Sequence, residues 1–123
     1  MINIVEYLKI AIILVGIDSF YLSMISKFFN NQVRLIQGTP IDMRYSAAVL
    51  AYVFLTVGMY YYIIVKKISL LEAFGLGIFV YGVYETTNAA IFKRWKWDTV
   101  LLDTVWGGIL FTLTKYLYDK IKI

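Results

Sequence analysis

The chain has 123 residues, of which 61% are hydrophobic, and a formal net charge of +4. A soluble domain is only about 45–50% apolar, and a chain this short leaves much of its surface uncovered on folding, so the composition excludes a water-soluble globule and points to lipid as the solvent. There is no Cys and no His, which removes disulfides, thiolate metal sites, a Cys nucleophile and the commonest metal ligand and general base; no catalytic residue, metal site or cofactor is assigned.

Four apolar stretches follow one another, each close to the roughly 20 residues needed to cross a bilayer. The first runs from about Val5 to Phe28. It is too long for a cleavable signal peptide, carries an acid in its middle and lacks a small-residue cleavage site after it. Asp18 is followed one turn later by Tyr21 and Leu22, with Ser19, Ser23 and Ser26 on the adjoining face. The connection from Asn30 to Arg44 is the longest, and Val33, Leu35 and Ile36 would let it lie on the membrane surface. Pro40 suits the loop or first turn before the second stretch, which runs from about Tyr45 to Val65 without a charge. Tyr60, Tyr61 and Tyr62 sit at the depth of an aromatic belt, and Lys66 and Lys67 complement the helix dipole behind them. Ser69 and Glu72 have capping-box spacing and start the third stretch, about Leu70 to Phe92. Trp95 and Trp97 then alternate with Lys93, Arg94 and Lys96, an interfacial anchor, before the fourth stretch from about Asp98 to Tyr118.

The expectation is an all-α membrane protein: one transmembrane domain over residues 1–123, built as an antiparallel bundle of four transmembrane helices. Charge does not orient it. Lys9, Lys66, Lys67, Lys115, Lys120 and Lys122 fall on the side of the termini, and Lys27, Arg34, Arg44, Lys93, Arg94 and Lys96 on the other, six against six. The termini are placed in the cytoplasm by default. The positive excess belongs to loops facing lipid head groups, so the bilayer is the expected partner and nucleic acid is not.

All 12 basic residues lie near span ends or in loops. Three acids do not: Asp18, Glu85 and Asp103 fall inside the first, third and fourth stretches. Each costs about 2.5–3.5 kcal/mol at a helix centre, so three cost on the order of 8 kcal/mol before any partner is found. Antiparallel neighbours bring Glu85 and Asp103 to a similar depth, with Asp18 somewhat deeper. Tyr81, Tyr84, Glu85 and Asn88 share one helical stripe, and Asp103, Trp106 and Gly107 another. Turning these stripes inward makes one polar cluster, neutralised by protonation, by a bound cation or by hydrogen bonds, since no Lys or Arg reaches that depth.

The run Tyr81-Gly82-Val83-Tyr84-Glu85-Thr86-Thr87-Asn88, then Trp95, then Asp103-Thr104-Val105-Trp106-Gly107, resembles the signature of the DUF2177 family of small membrane proteins. Asp18, with the aromatic and Leu after it, looks like that family's first-helix motif, and the resemblance covers nearly the whole chain. Glu85 stands where the family usually has Asp. The resemblance implies the membrane fold and the site residues, and brings no reaction with it.

Three functions compete on these residues, beside a structural role in which the carboxyls tie helices together at about 0.6 kcal/mol per pair. Conduction or transport of protons or small cations ranks first, because buried acids without basic partners suit relays and cation sites; four helices are too few for a wide pore, so it expects a homo-oligomer. An assembly subunit comes second, the polar cluster docking a membrane partner protein. A lipid-acting enzyme subunit comes third, its paired carboxyls doing acid–base work beside a phosphate-holding basic loop.

Overall fold

The computed structural model describes residues 3–121; Lys122, counted in the charge comparison above, lies outside them. Among the described residues the chain forms α1 (Ile4–Met24), α2 (Ser26–Gln37), α3 (Tyr45–Met59) continued by a π-helical turn (Tyr60–Ile64), α4 (Leu70–Ile91) and α5 (Trp97–Lys120), with no strand. The all-helical expectation holds. The count of membrane-crossing helices is smaller than expected by length and apolarity alone: Tyr45–Ile64 and Trp97–Lys120 qualify, and α1 with α2 makes a third only if that bent pair is one span. Helix α4 is 22 residues long, but Glu72, Glu85, Thr86, Thr87 and Asn88 keep its hydropathy down.

The first expected span ends early. Helix α1 stops at Met24, and α2 leaves it at 74°. Neither Pro nor Gly marks the break. Instead the Ser23 hydroxyl donates to the Phe20 carbonyl at 2.8 Å and the Ser26 hydroxyl to the Ser23 carbonyl at 3.4 Å. Side chains that capture backbone carbonyls in this way bend helices. Ser23 and Ser26, expected beside the acidic cluster, therefore serve the backbone, and the connection expected from Asn30 to Arg44 is helical as far as Gln37. Gly38, in the left-handed region at φ 79°, closes α2.

Helix α3 also departs from a plain α-helix. Its last turn widens into the π turn, closed by the Val65 amide donating to the Tyr60 carbonyl at 2.9 Å. Lys67 ends it with φ 53°. Helix α4 starts where its sequence says: the Ser69 hydroxyl accepts from the Glu72 amide at 3.0 Å, and the Glu72 carboxyl accepts from the Ser69 amide at 3.1 Å.

Helices α4 and α5, joined by residues 92–96, make the most intimate packing in the molecule. Glycine is required there. A Cβ on Gly77 would land on the Gly107 carbonyl, one on Gly107 would enter the Tyr81 ring, and one on Gly108 would come within 2.8 Å of the Phe74 ring. This is the close backbone approach that holds helices together in lipid, where apolar burial drives nothing. Helix α1 packs on α5 and α3. Ile10, Leu14, Met59, Ile63, Leu110 and Phe111 meet between them as the apolar core.

Candidate functional site

The acids converge at one end of the helices. Asp18 lies six residues before the end of α1, Glu85 six before the end of α4, and Asp103 six after the start of α5. At about 1.5 Å per residue, all three sit roughly 9 Å in from the helix ends joined by α2 and by residues 92–96. Asp18 is thus level with the other two rather than deeper, because α1 ends four residues short of the expected Phe28. Glu85 is 0% exposed, Asp18 7% and Asp103 7%.

Each carboxyl meets aromatic donors. Asp18 Oδ2 accepts from the Tyr52 hydroxyl at 2.5 Å, and Asp18 Oδ1 from the Trp106 indole at 2.9 Å. Asp103 Oδ1 accepts from the Tyr21 hydroxyl at 3.4 Å. Tyr21 lies flat on Trp106, ring centroids 4.1 Å apart and 3° from parallel. One face of that stack lines an open apolar groove of about 610 Å³, with Met24, Leu102 and Val105. The stack therefore lies between that groove and the two carboxyls its rings bond, Asp18 and Asp103. Glu85 Oε1 accepts from the Trp95 indole at 2.7 Å.

Glu85 Oε2 is buried and receives no hydrogen bond from the protein. The Glu85 and Asp103 side chains lie beside each other. Two carboxylates offer each other only lone pairs, so the contact becomes a hydrogen bond only with a proton between them. Among the described residues, no three acids gather closely enough to hold a metal ion.

A family model described as a predicted membrane protein (DUF2177) matches residues 3–117, which include every residue of this cluster. The chain belongs to the DUF2177 family. No curated protein and no solved structure matches it. As a DUF2177 protein it is a membrane protein, in agreement with its apolar helices.

Of the site residues expected from sequence, Asp18, Glu85, Asp103 and Trp106 come together. Tyr81 is half-buried, packed against Gly107 and edge-on to Phe111 with centroids 6.3 Å apart. Asn88 is half-buried, and Tyr84 lies on the outer surface of α4, 57% exposed. Lys93, Arg94, Lys96 and Trp97 are exposed as an anchor would be. Trp95, grouped with them from sequence, belongs to the site through its bond to Glu85.

Three residues outside the expected set complete the arrangement. Tyr21 was readable one turn from Asp18. Tyr52, seven residues into α3, sits at the depth of Asp18 on an antiparallel neighbour, and depth matching was the one signal that could find it. Gln32, 2% exposed, reaches across from α2 to the connection between α4 and α5. Nothing in its local sequence marks it.

The opposite end of the helices carries a second polar region. A cavity of about 430 Å³ is lined by Glu6, Tyr60, Lys67, Lys115, Tyr118 and Asp119. There Lys115 Nζ pairs with Asp119 Oδ2 at 2.7 Å, the Tyr60 hydroxyl donates to Glu6 Oε2 at 3.4 Å, and Lys9 Nζ sits 4.1 Å over the Tyr118 ring.

Proposed function

We propose that this DUF2177 protein crosses the membrane four times, with α1, α3 and its π turn, α4 and α5 as the crossing segments of a single domain, and that it carries protons on its buried carboxyl cluster. The observation behind the reading is the Glu85–Asp103 pair: a fully buried carboxyl, one of whose oxygens has no protein donor, beside a second buried carboxyl, with no Lys or Arg among its hydrogen-bond partners. Two buried carboxylates side by side without a cation repel each other, and a proton shared between them removes that repulsion. The absence of a three-acid grouping among the described residues favours a proton over a multivalent metal ion.

The pattern of buried groups favours a carrier over a standing pore. Between the carboxyl cluster and the opposite end lies the apolar core around Ile10, Leu14, Met59, Ile63 and Leu110. Thr56 and Thr114 are buried in the same helices, but their hydroxyls donate to the Tyr52 and Leu110 carbonyls at 2.8 and 2.7 Å. These hydroxyls are taken up by their own helices rather than offered to a water file, which favours protons exchanging with one side at a time through a shift of the helices.

The test is proton flux in proteoliposomes, wild type against Glu85→Gln. Pumped or gradient-driven flux in the wild type, lost in the variant, is the expected result. A folded wild-type protein that moves no protons under either a pH gradient or a membrane potential overturns the reading.

A further inference from the structure

Helix α2 stands apart from the packed helices. It turns 74° away from α1 and presents Lys27 and Arg34 outward, yet Gln32 in its middle is 2% exposed. A glutamine buried at that level has to satisfy one acceptor and two donors, and Gln32 does so almost entirely on one short segment. Its amide nitrogen donates to the Arg94 carbonyl at 2.9 Å. Its amide oxygen accepts from the Lys96 backbone amide at 2.9 Å and from the Thr99 hydroxyl at 2.7 Å. The two backbone partners flank Trp95, whose indole is the hydrogen-bond donor to Glu85 Oε1.

The remaining bonding of this segment is sparse. Trp95's own amide donates to the Phe92 carbonyl at 3.1 Å, and the ring lies near Phe92 with centroids 6.0 Å apart. Residues 93 and 94 form a turn, and 95 and 96 have no regular structure. A loop of that kind is free to move unless something outside it fixes its backbone. Gln32 is the group that does so, binding on both sides of Trp95.

We propose that Gln32 is a positioning residue for the carboxyl site: by clamping residues 94 and 96 it holds the Trp95 indole on Glu85, and so couples the seating of α2 to the state of the Glu85–Asp103 pair. The inference rests on the proposed role of that pair for its functional meaning, and on geometry alone for the coupling. Helix α2 is joined to the remainder of α1 through the bend at Ile25, so a displacement of α2 reaches Trp95 through one side chain. Losing the indole bond would leave a second bare oxygen on the buried Glu85 carboxyl.

The coupling is readable without any transport assay. The chain has three tryptophans, so a ¹⁵N-labelled sample in lipid nanodiscs gives three indole N–H signals. Trp95→Phe and Trp97→Phe assign them. In Gln32→Ala, the Trp95 signal is expected to move upfield toward the position of an unbonded indole, while the Trp106 signal, bonded to Asp18, stays in place. Gln32→Glu keeps the acceptor for Lys96 and Thr99 but turns an oxygen toward the Arg94 carbonyl; it is expected to move the Trp95 signal in the same direction by less, and it carries the test should Gln32→Ala fail to fold. A Trp95 signal unchanged in either folded variant overturns the proposal. So does an equal displacement of the Trp95 and Trp106 signals, which would mark Gln32 as a general packing residue. Absence of proton flux in the wild type, with the Trp95 signal responding as expected, would overturn the transport reading and leave the coupling standing.

Discussion

Two polar regions occupy opposite ends of the same helices, made from nearly the same side chains and treated in opposite ways. At the end carrying Glu6, Tyr60, Tyr118 and Asp119, lysines lie among the acids, and Lys115 pairs with an Asp119 that is 52% exposed. At the other end, the hydrogen-bond donors to Asp18, Glu85 and Asp103 among the described residues are tyrosine and tryptophan side chains, with no lysine or arginine among them. The contrast separates the ways of keeping a carboxyl near lipid. Close to the interface, water and a flexible lysine meet the charge at little gain or cost. About 9 Å further in, neither is available, and the charge is met by fixed dipoles or removed by a proton.

The comparison can be broken or sharpened by substitution. The largest effect is expected at the seam between α4 and α5. Gly77→Ala forces a methyl onto the Gly107 carbonyl and separates the two helices that carry Glu85 and Asp103, at a cost of about 3 kcal/mol. Thermal unfolding in detergent should show it, with the carboxyl end losing order first. A smaller effect follows from Trp106→Phe, which keeps a ring against Tyr21 but strips Asp18 of its indole donor; about 2 kcal/mol of destabilisation is expected by the same measurement. Tyr52 still bonds Asp18 in that variant, which caps the loss. The smallest effect belongs to the other end. Lys115→Ala removes an i,i+4 pair whose acid is half-exposed, and a destabilisation of no more than about 0.5 kcal/mol is expected by the same measurement. A Lys115→Ala change as costly as Trp106→Phe would abolish the distinction between the two ends.

Sequence resolved these regions unevenly, for physical reasons. The capping box at Ser69 and Glu72 was legible because it is a local pattern, complete within four residues. The common depth of Glu85 and Asp103 was legible because a short link forces antiparallel neighbours. The bend at Ile25 was not, since apolar residues continue through Phe28 and Phe29 and only serine hydroxyls turn the backbone. That one miss misplaced Asp18. Trp95 reads as an interfacial residue because basic neighbours surround it, and only the fold reveals that its indole turns inward to Glu85. Gln32 and Tyr52 were hidden for the same reason: each finds its partners more than 30 residues away in the chain.

The π turn at Tyr60–Ile64 carries a consequence for how this chain tolerates changes in length. A turn bonded from one residue to the fifth beyond it holds one residue more than an α-turn, so it acts as an insertion absorbed in place. Deleting a single residue there would restore the regular ladder and leave Lys66 and Lys67 near their present azimuth. Tyr52, upstream of the bulge, would keep its register with Asp18. Length variation is therefore confined to the end where acids and lysines already share water, and the carboxyl cluster is insulated from it.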